Sequence, residues 1–349
     1  MPFASPPTRR GIARWGLFLL CWGLTAALVG RQAGFPEMGT LEDKLRHFAV
    51  HGDEYDVIFV GSSRIERGVV PPVFDAELAA RGRPLRSFNF GVAGMEAHEA
   101  NALMRRMLAS EPARLRWVVV ELEGWDPVLE NENRFKRRAV FWHDAAETWS
   151  ALRSTAALEA PLAARADLAS THLLHFAARL LALGRGPDAV RSLARTAGQT
   201  SPDLERWQGF KPYTESSYRY NPLRKHFLDH PDDYREAIRR LEDGAGVAAS
   251  PADVAAVRAQ VAMIRRVGRR SVHLVPPSPR AVPRLAEHVP ALLAFNRPRD
   301  YGELFAVDQR FDHEHLTQEG AERFTRLLAA RFAAEVLDEE PDRLAALGR

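Results

Sequence analysis

A serine on a tight turn, a histidine, and an aspartate three positions before that histidine can build a nucleophile, its general base and the carboxylate that orients the base. The chain carries such a set. Gly61-Ser62-Ser63-Arg64 follows the apolar run Val57-Ile58-Phe59-Val60, and Asp312-His313-Glu314-His315-Leu316 precedes an amphipathic stretch from Gln318 to Phe332. The run reads as a buried strand, so Ser63 stands at a strand exit, where ligand sites of open α/β sheets lie. Ser63 Oγ would attack a carbonyl carbon while its own N–H points at the developing oxyanion. His315 would take the proton, and Asp312 would fix its tautomer and stabilise the imidazolium. Two other uses stay open. Gly-Ser-Ser also makes an ordinary turn. His313, His315 and Asp312 could ligate a metal, because His-x-His on an extended segment puts both rings on one face.

Placing these groups requires a sheet. Apolar runs at Asp56–Val60, Arg86–Phe90, Trp117–Leu122 and Ser271–Val275 read as strands. Helices are expected from Leu41 to Val50, from Pro71 to Ala80, from about Ala97 to Ala109, and from Pro251 to Val267 behind a Ser250 cap. Strands alternating with helices predict a parallel sheet covered on both faces. Between about 129 and 250 the pattern turns helical: Ala145–Arg165, Thr171–Leu183, Pro187–Ala197 and Asp232–Glu242, with an irregular stretch from Trp207 to Pro222.

These motifs resemble the SGNH (GDSL-like) hydrolases, over roughly 55–127 and 252–335. That family places its nucleophile in Gly-Asp-Ser, so the resemblance puts Ser63 there, with Ser62 replacing the aspartate. Its closing Asp-x-x-His block matches Asp312 to His315, followed by Leu316 and a helix start at Gly320-Ala321. Its second block carries a glycine whose N–H holds the oxyanion. Asn89-Phe90-Gly91-Val92-Ala93-Gly94 is similar, which implies Gly94 first and Gly91 next. Its third block, Gly-x-Asn-Asp, corresponds to Glu123-Gly124-Trp125-Asp126-Pro127, which has no asparagine. The asparagine's place falls on Asp126 or on Trp125, whose indole N–H could donate. The resemblance implies a three-layer α/β core of parallel-sheet, flavodoxin-like type. It implies acyl-ester chemistry with no cofactor.

The rest of the chain bounds the setting. Arg9, Arg10 and Arg14 precede an uncharged segment, Trp15–Gly30; without those three arginines the chain has 45 basic against 45 acidic residues. A neutral body lacks the clustered positive charge of a nucleic-acid binder. The single cysteine, Cys21, excludes an intrachain disulfide. The apolar segment is read as an uncleaved transmembrane anchor with the arginines in the cytoplasm. The rival is a cleaved signal peptide, for which Leu28-Val29-Gly30 is a poor site.

The expected organisation is a cytoplasmic N-terminus (1–10), an anchor (11–31), a linker helix (32–54), the first core part (55–128), a helical insertion (129–250), the second core part (251–335) and a charged tail (336–349). Arg64 could steer an acidic glycan or pair with a carboxylate such as Glu66. Trp207 and Tyr213, among other aromatics of their stretch, could offer faces to a sugar chain or pack the insertion on the core. Membrane-tethered proteins of alginate acetylation and teichoic-acid D-alanylation have a similar layout. That implies a bacterial inner-membrane protein with its domain in the periplasm, an envelope or extracellular glycan ester as substrate, and a membrane acyltransferase partner. The alternative is a non-catalytic module of the same fold that binds glycan or scaffolds an assembly complex.

Overall fold

The computed structural model describes residues 9–32, 40–125, 127–129, 134, 136–194, 202–244 and 246–338. In chain order the helices are α1 (Arg9–Gln32), α2 (Thr40–His51), α3 (Ser63–Glu66), α4 (Pro71–Ala80), α5 (Ala97–Leu108), α6 (Arg137–Trp142), α7 (Ala145–Ala157) and α8 (Leu162–Leu180). They continue with α9 (Gly186–Ala194), α10 (Pro202–Trp207), α11 (Glu215–Tyr220), α12 (Pro222–Asp229), α13 (Pro231–Asp243), α14 (Pro251–Arg266) and α15 (Gln318–Phe332). The strands are β1 (Val57–Gly61), β2 (Ser87–Gly91), β3 (Trp117–Glu121), β4 (Arg270–Val275) and β5 (Leu292–Ala294).

The chain divides into two compact units, Met1–Glu42 with Pro127–Gln199, and Asp43–Asp126 with Thr200–Arg349. The second holds one parallel sheet in the order β2-β1-β3-β4-β5. Val57 to Val60 are wholly buried, as is expected of strands covered on both faces and rich in β-branched residues. Alternate residues serve alternate faces. Val57, Phe59, Trp117, Val119, Val272 and Leu274 join the core formed with α4 and α15. The opposite face meets α14, where His273 Nε2 lies 2.9 Å from Gln260 Oε1 and Gln260 bonds Asn101 of α5 at 2.8 Å. From β1 the chain goes to β2 on one side and leaves β3 on the other. The crevice at such a reversal collects the carboxyl ends of both central strands.

Two expectations change. The helical stretch 129–250 is not one insertion: 127–199 forms a unit with the N-terminal helix, whereas 200–250 belongs with the sheet. The supposedly irregular stretch from Trp207 to Pro222 contains α11 and runs into α12, capped by Thr214 and Asn221. A fifth strand, β5, went unseen because three apolar residues behind Pro290 are too few to show a period. In the first unit, α1 includes a segment, Ala13–Arg31, long and apolar enough to cross a membrane. Residues 1–8 and the tail from 339 onward lie outside the described residues.

Candidate active site

Ser63 is presented by the shortest possible exit from β1. A Cβ on Gly61 would fall 2.4 Å from Ile65 Cγ1 and 2.5 Å from Glu121 Oε2, so only glycine allows the strand to turn this closely under α3. Ser62 caps α3, its Oγ accepting the Arg64 N–H at 3.2 Å. Ser63 then opens the helical turn, half-buried, and its N–H makes no hydrogen bond among the described residues.

His315 comes from a tight loop closed by the Arg310–Leu316 bridge and by Phe311 N–H donating to His315 C=O at 2.9 Å. Arg310 is buried and ties this loop to the β4 exit, donating to Pro277 C=O at 2.7 Å and to His313 C=O at 2.8 Å. Asp312 Oδ1 accepts the N–H groups of Glu314 at 2.8 Å and His315 at 2.9 Å. His315 Nδ1 lies 2.8 and 2.9 Å from the two Asp312 oxygens, and His315 Nε2 lies 2.7 Å from Ser63 Oγ. With Nδ1–H held by the carboxylate, Nε2 is left as the acceptor of the serine proton. Burial alone would raise the Asp312 pKa. The bonds from the His315 ring and from the two backbone N–H groups outweigh it and hold the carboxyl below its ordinary range.

The structure thus brings Ser63, His315 and Asp312 into one hydrogen-bonded chain. His313 is turned elsewhere, its ring against Phe227 and Tyr234 at centroid distances of 5.5 and 5.7 Å. The two histidines of the His-x-His pair therefore do not face a common point, which removes the geometry the metal reading needs.

The other candidates divide. Gly61 and Gly91 are register partners on adjacent strands, so the loops carrying Ser63 and Gly94 leave the same edge of the sheet. Gly94 is exposed, adopts φ +63°, and its N–H has no partner among the described residues. Gly91 is a correction. Its N–H donates to Asn89 Oδ1 at 2.7 Å and its carbonyl accepts from Lys44 Nζ at 2.6 Å, so it has no N–H to offer an oxyanion. It is glycine because a Cβ would lie 2.1 Å from Glu66 N. Trp125 lines a cavity of about 20 Å³ shared with Gly61, Ser62 and Glu121 but not Ser63. Its indole N–H is buried without a hydrogen bond among the described residues, and its backbone N–H is taken by Asp253 at 2.7 Å. Asp126 lies outside the described residues.

Arg64, Trp207 and Tyr213, expected as substrate contacts, all have partners within the protein. Arg64 Nε donates to Glu121 Oε1 at 2.7 Å, and its other nitrogens meet Glu123 and Glu314, the latter at 3.5 Å. None of these is Glu66. Trp207 is half-buried against the core, edge-on to Phe210. Tyr213 is stacked on Phe311 with centroids 3.4 Å apart, and the Arg67 guanidinium sits 4.1 Å from its ring. Both faces are covered, so no sugar can stack there. The ring edge stands beside His315 at 6.2 Å and helps to wall it.

Sequence reasoning missed Glu121. Its Oε2 accepts the Ser62 N–H at 2.5 Å while Oε1 holds Arg64. A carboxylate ending an apolar strand had to find partners, and that was the available signal. It also missed the buried Lys44, which burial first of all lowers to about 8, against the raising effect of nearby Glu66. A lysine depressed on folding is a cost below its folded pKa that disappears as pH rises toward the unfolded value near 10.5. Between pH 8 and 9.5 the unfolding free energy of the native chain is expected to rise relative to Lys44→Met by up to about 1.4 kcal/mol per pH unit. Parallel urea titrations of the two proteins measure it; identical slopes would refute a charged-in-solution, depressed-in-fold Lys44.

Against known proteins, no family model, no curated protein and no solved structure matches this chain.

Proposed function

We propose that the chain is a membrane-anchored, SGNH-like serine acyl-ester hydrolase or O-acyltransferase. The observation that carries this reading is the Ser63–His315–Asp312 chain, with contacts of 2.7 and 2.8 Å at the carboxyl edge of a parallel sheet. In the proposed cycle Ser63 Oγ attacks the ester carbonyl as its proton passes to His315 Nε2. The oxyanion takes hydrogen bonds from Ser63 N–H and Gly94 N–H. Collapse expels the alcohol, which recovers the proton from His315 and leaves an acyl-serine. Water, or a sugar hydroxyl in transfer, then attacks with His315 again as base.

An envelope or extracellular glycan as substrate, the periplasmic side of the bacterial inner membrane and a membrane acyltransferase partner follow from the resemblance in layout. The orientation is supported by Arg9, Arg10 and Arg14 before the uncharged segment Trp15–Gly30. The test is a fluorophosphonate probe on the folded protein. A single adduct on the peptide containing Ser63, lost in His315→Ala, is expected; a folded chain that takes no probe at Ser63 would refute the catalytic reading.

One observation favours the second reading, a glycan-binding or scaffolding module. Beside the serine turn the group ending β3 is the Glu121 carboxylate, and the Asn89 amide is consumed by the Ile65 and Val69 carbonyls. The Asn89 amide is thereby not left for an oxyanion, and the donors proposed above, the Ser63 and Gly94 N–H groups, are main-chain ones. The same probe separates the two readings.

A further inference from the structure

From Thr171 onward helix α8 has its polarity reversed, whereas its first half exposes Asp167 and Ser170. Thr171, His172 and His175 are buried, with His172 fully enclosed and bonded through Nδ1 to His143 Nε2 at 2.9 Å and through Nε2 to Pro127 C=O at 3.0 Å. The outward face instead carries Leu173, Leu174, Ala177 and Leu180, with Leu174 68% and Leu180 66% exposed. Those positions follow the i, i+1, i+4, i+7 spacing of a single helical stripe. Leu181 and Leu183 extend it past the helix end, and Val190 and Leu193 of α9 are exposed in the same unit. From Thr171 to Leu183 the only charge is Arg179, half-buried with its guanidinium 5.1 Å from the Phe141 ring. A water-facing helix places its polar residues outside and its leucines inside. The second half of helix α8 does the opposite, which is the arrangement for an apolar surrounding.

What that surrounding is follows from the neighbour. Both α8 and α9 pack against α1, which carries the segment long and apolar enough to cross a membrane. An apolar segment the length of Thr171–Leu183 falls short of the ~20 residues of a span, so it can lie on a bilayer but not traverse it. We propose that the outward face of α8 and α9 is seated in the headgroup–acyl boundary of the bilayer that α1 crosses. The first unit then holds the membrane by a span and by a helix lying in the interface. The occupant is lipid acyl chain, recognised by apolar area alone. This proposal rests on α1 as a span and not on the chemistry of Ser63.

The experiment uses the full chain in vesicles of phosphatidylethanolamine and phosphatidylglycerol. A nitroxide is attached to native Cys21 in one sample. In a Cys21→Ser background it is attached at Leu174→Cys, Leu180→Cys or Leu193→Cys, with Arg235→Cys on exposed α13 as the aqueous control. Power-saturation spectroscopy compares collision with oxygen and with a water-soluble nickel chelate. The expected result is an oxygen-to-nickel ratio at positions 174, 180 and 193 several-fold above that at position 235, in the direction of Cys21. Leucine sites as open to nickel as position 235, with Cys21 immersed, overturn the proposal while leaving the span intact. Nickel access at Cys21 overturns the span and the proposal together. Labels immobilised and shielded from both reagents mean that protein covers the face, which overturns lipid in favour of a second copy or a partner helix. Three independent positions guard against one substitution that fails to fold.

Discussion

Ser63→Ala is expected to remove acyl-ester turnover by a factor on the order of 10³ or more while leaving the protein folded. The loss is large because the hydroxyl is the only atom of the chain that forms the covalent bond in the proposed cycle. The structural effect is small because Ser63 is half-buried and, among the described residues, its side chain makes one bond, to His315 Nε2 at 2.7 Å. Losing it costs about 1 kcal/mol. The measurement pairs turnover of a chromogenic acyl ester with a thermal melt. Undiminished turnover in a well-folded Ser63→Ala protein would move the activity away from this site and promote the scaffolding reading.

The second large effect is expected at Arg64. Its side chain is 9% exposed and that of Glu121 is 2% exposed. Truncation leaves a buried carboxylate unpaired, which costs about 3–5 kcal/mol. The same change should slow turnover without any contact to substrate. Arg64 follows Ser63 directly, and its guanidinium touches Glu121, which holds the Ser62 N–H, and Glu314, which lies between Asp312 and His315. Arg280 braces Glu314 from the other side at 2.9 Å. The arginine therefore clamps the loop that carries Ser63 to the loop that carries His315. A misplacement of about 1 Å costs ~10²-fold in a positioned reaction. Arg64→Ala is expected to show that loss in kcat with KM little changed. Arg64→Lys restores the charge but not the planar fork, and is expected to recover stability better than rate. A variant with native kcat and lowered stability alone would make Arg64 purely structural.

How far the sequence spoke can be judged residue by residue. Ser63, Asp312 and His315 could be picked out because strand exit, spacing and helix start are local signals, and they are found hydrogen-bonded to one another. The four longer strands showed as apolar runs for the same reason. Partners across space could not be read. Nothing local ties Arg64 to Glu121 and Glu314 rather than to Glu66, or gives the Gly91 N–H to Asn89. Tyr213 was an aromatic of either role until Phe311 and Arg67 were seen on its two faces. The division at residue 199 was equally hidden, because helical periodicity reports that a face is buried and not what it is buried against.

The chain separation of the site also sets a schedule. Ser63 and His315 are 252 positions apart. At roughly 5–20 residues per second of synthesis, the serine turn emerges about 10–50 s before the histidine proposed to draw its proton. Throughout that interval the growing polypeptide carries an ordinary alcohol. Any fragment that ends before the Asp312–His315 loop is mute in the same way. The bond that would arm the hydroxyl is a late event, available only after the closing segment has come back to the first strand.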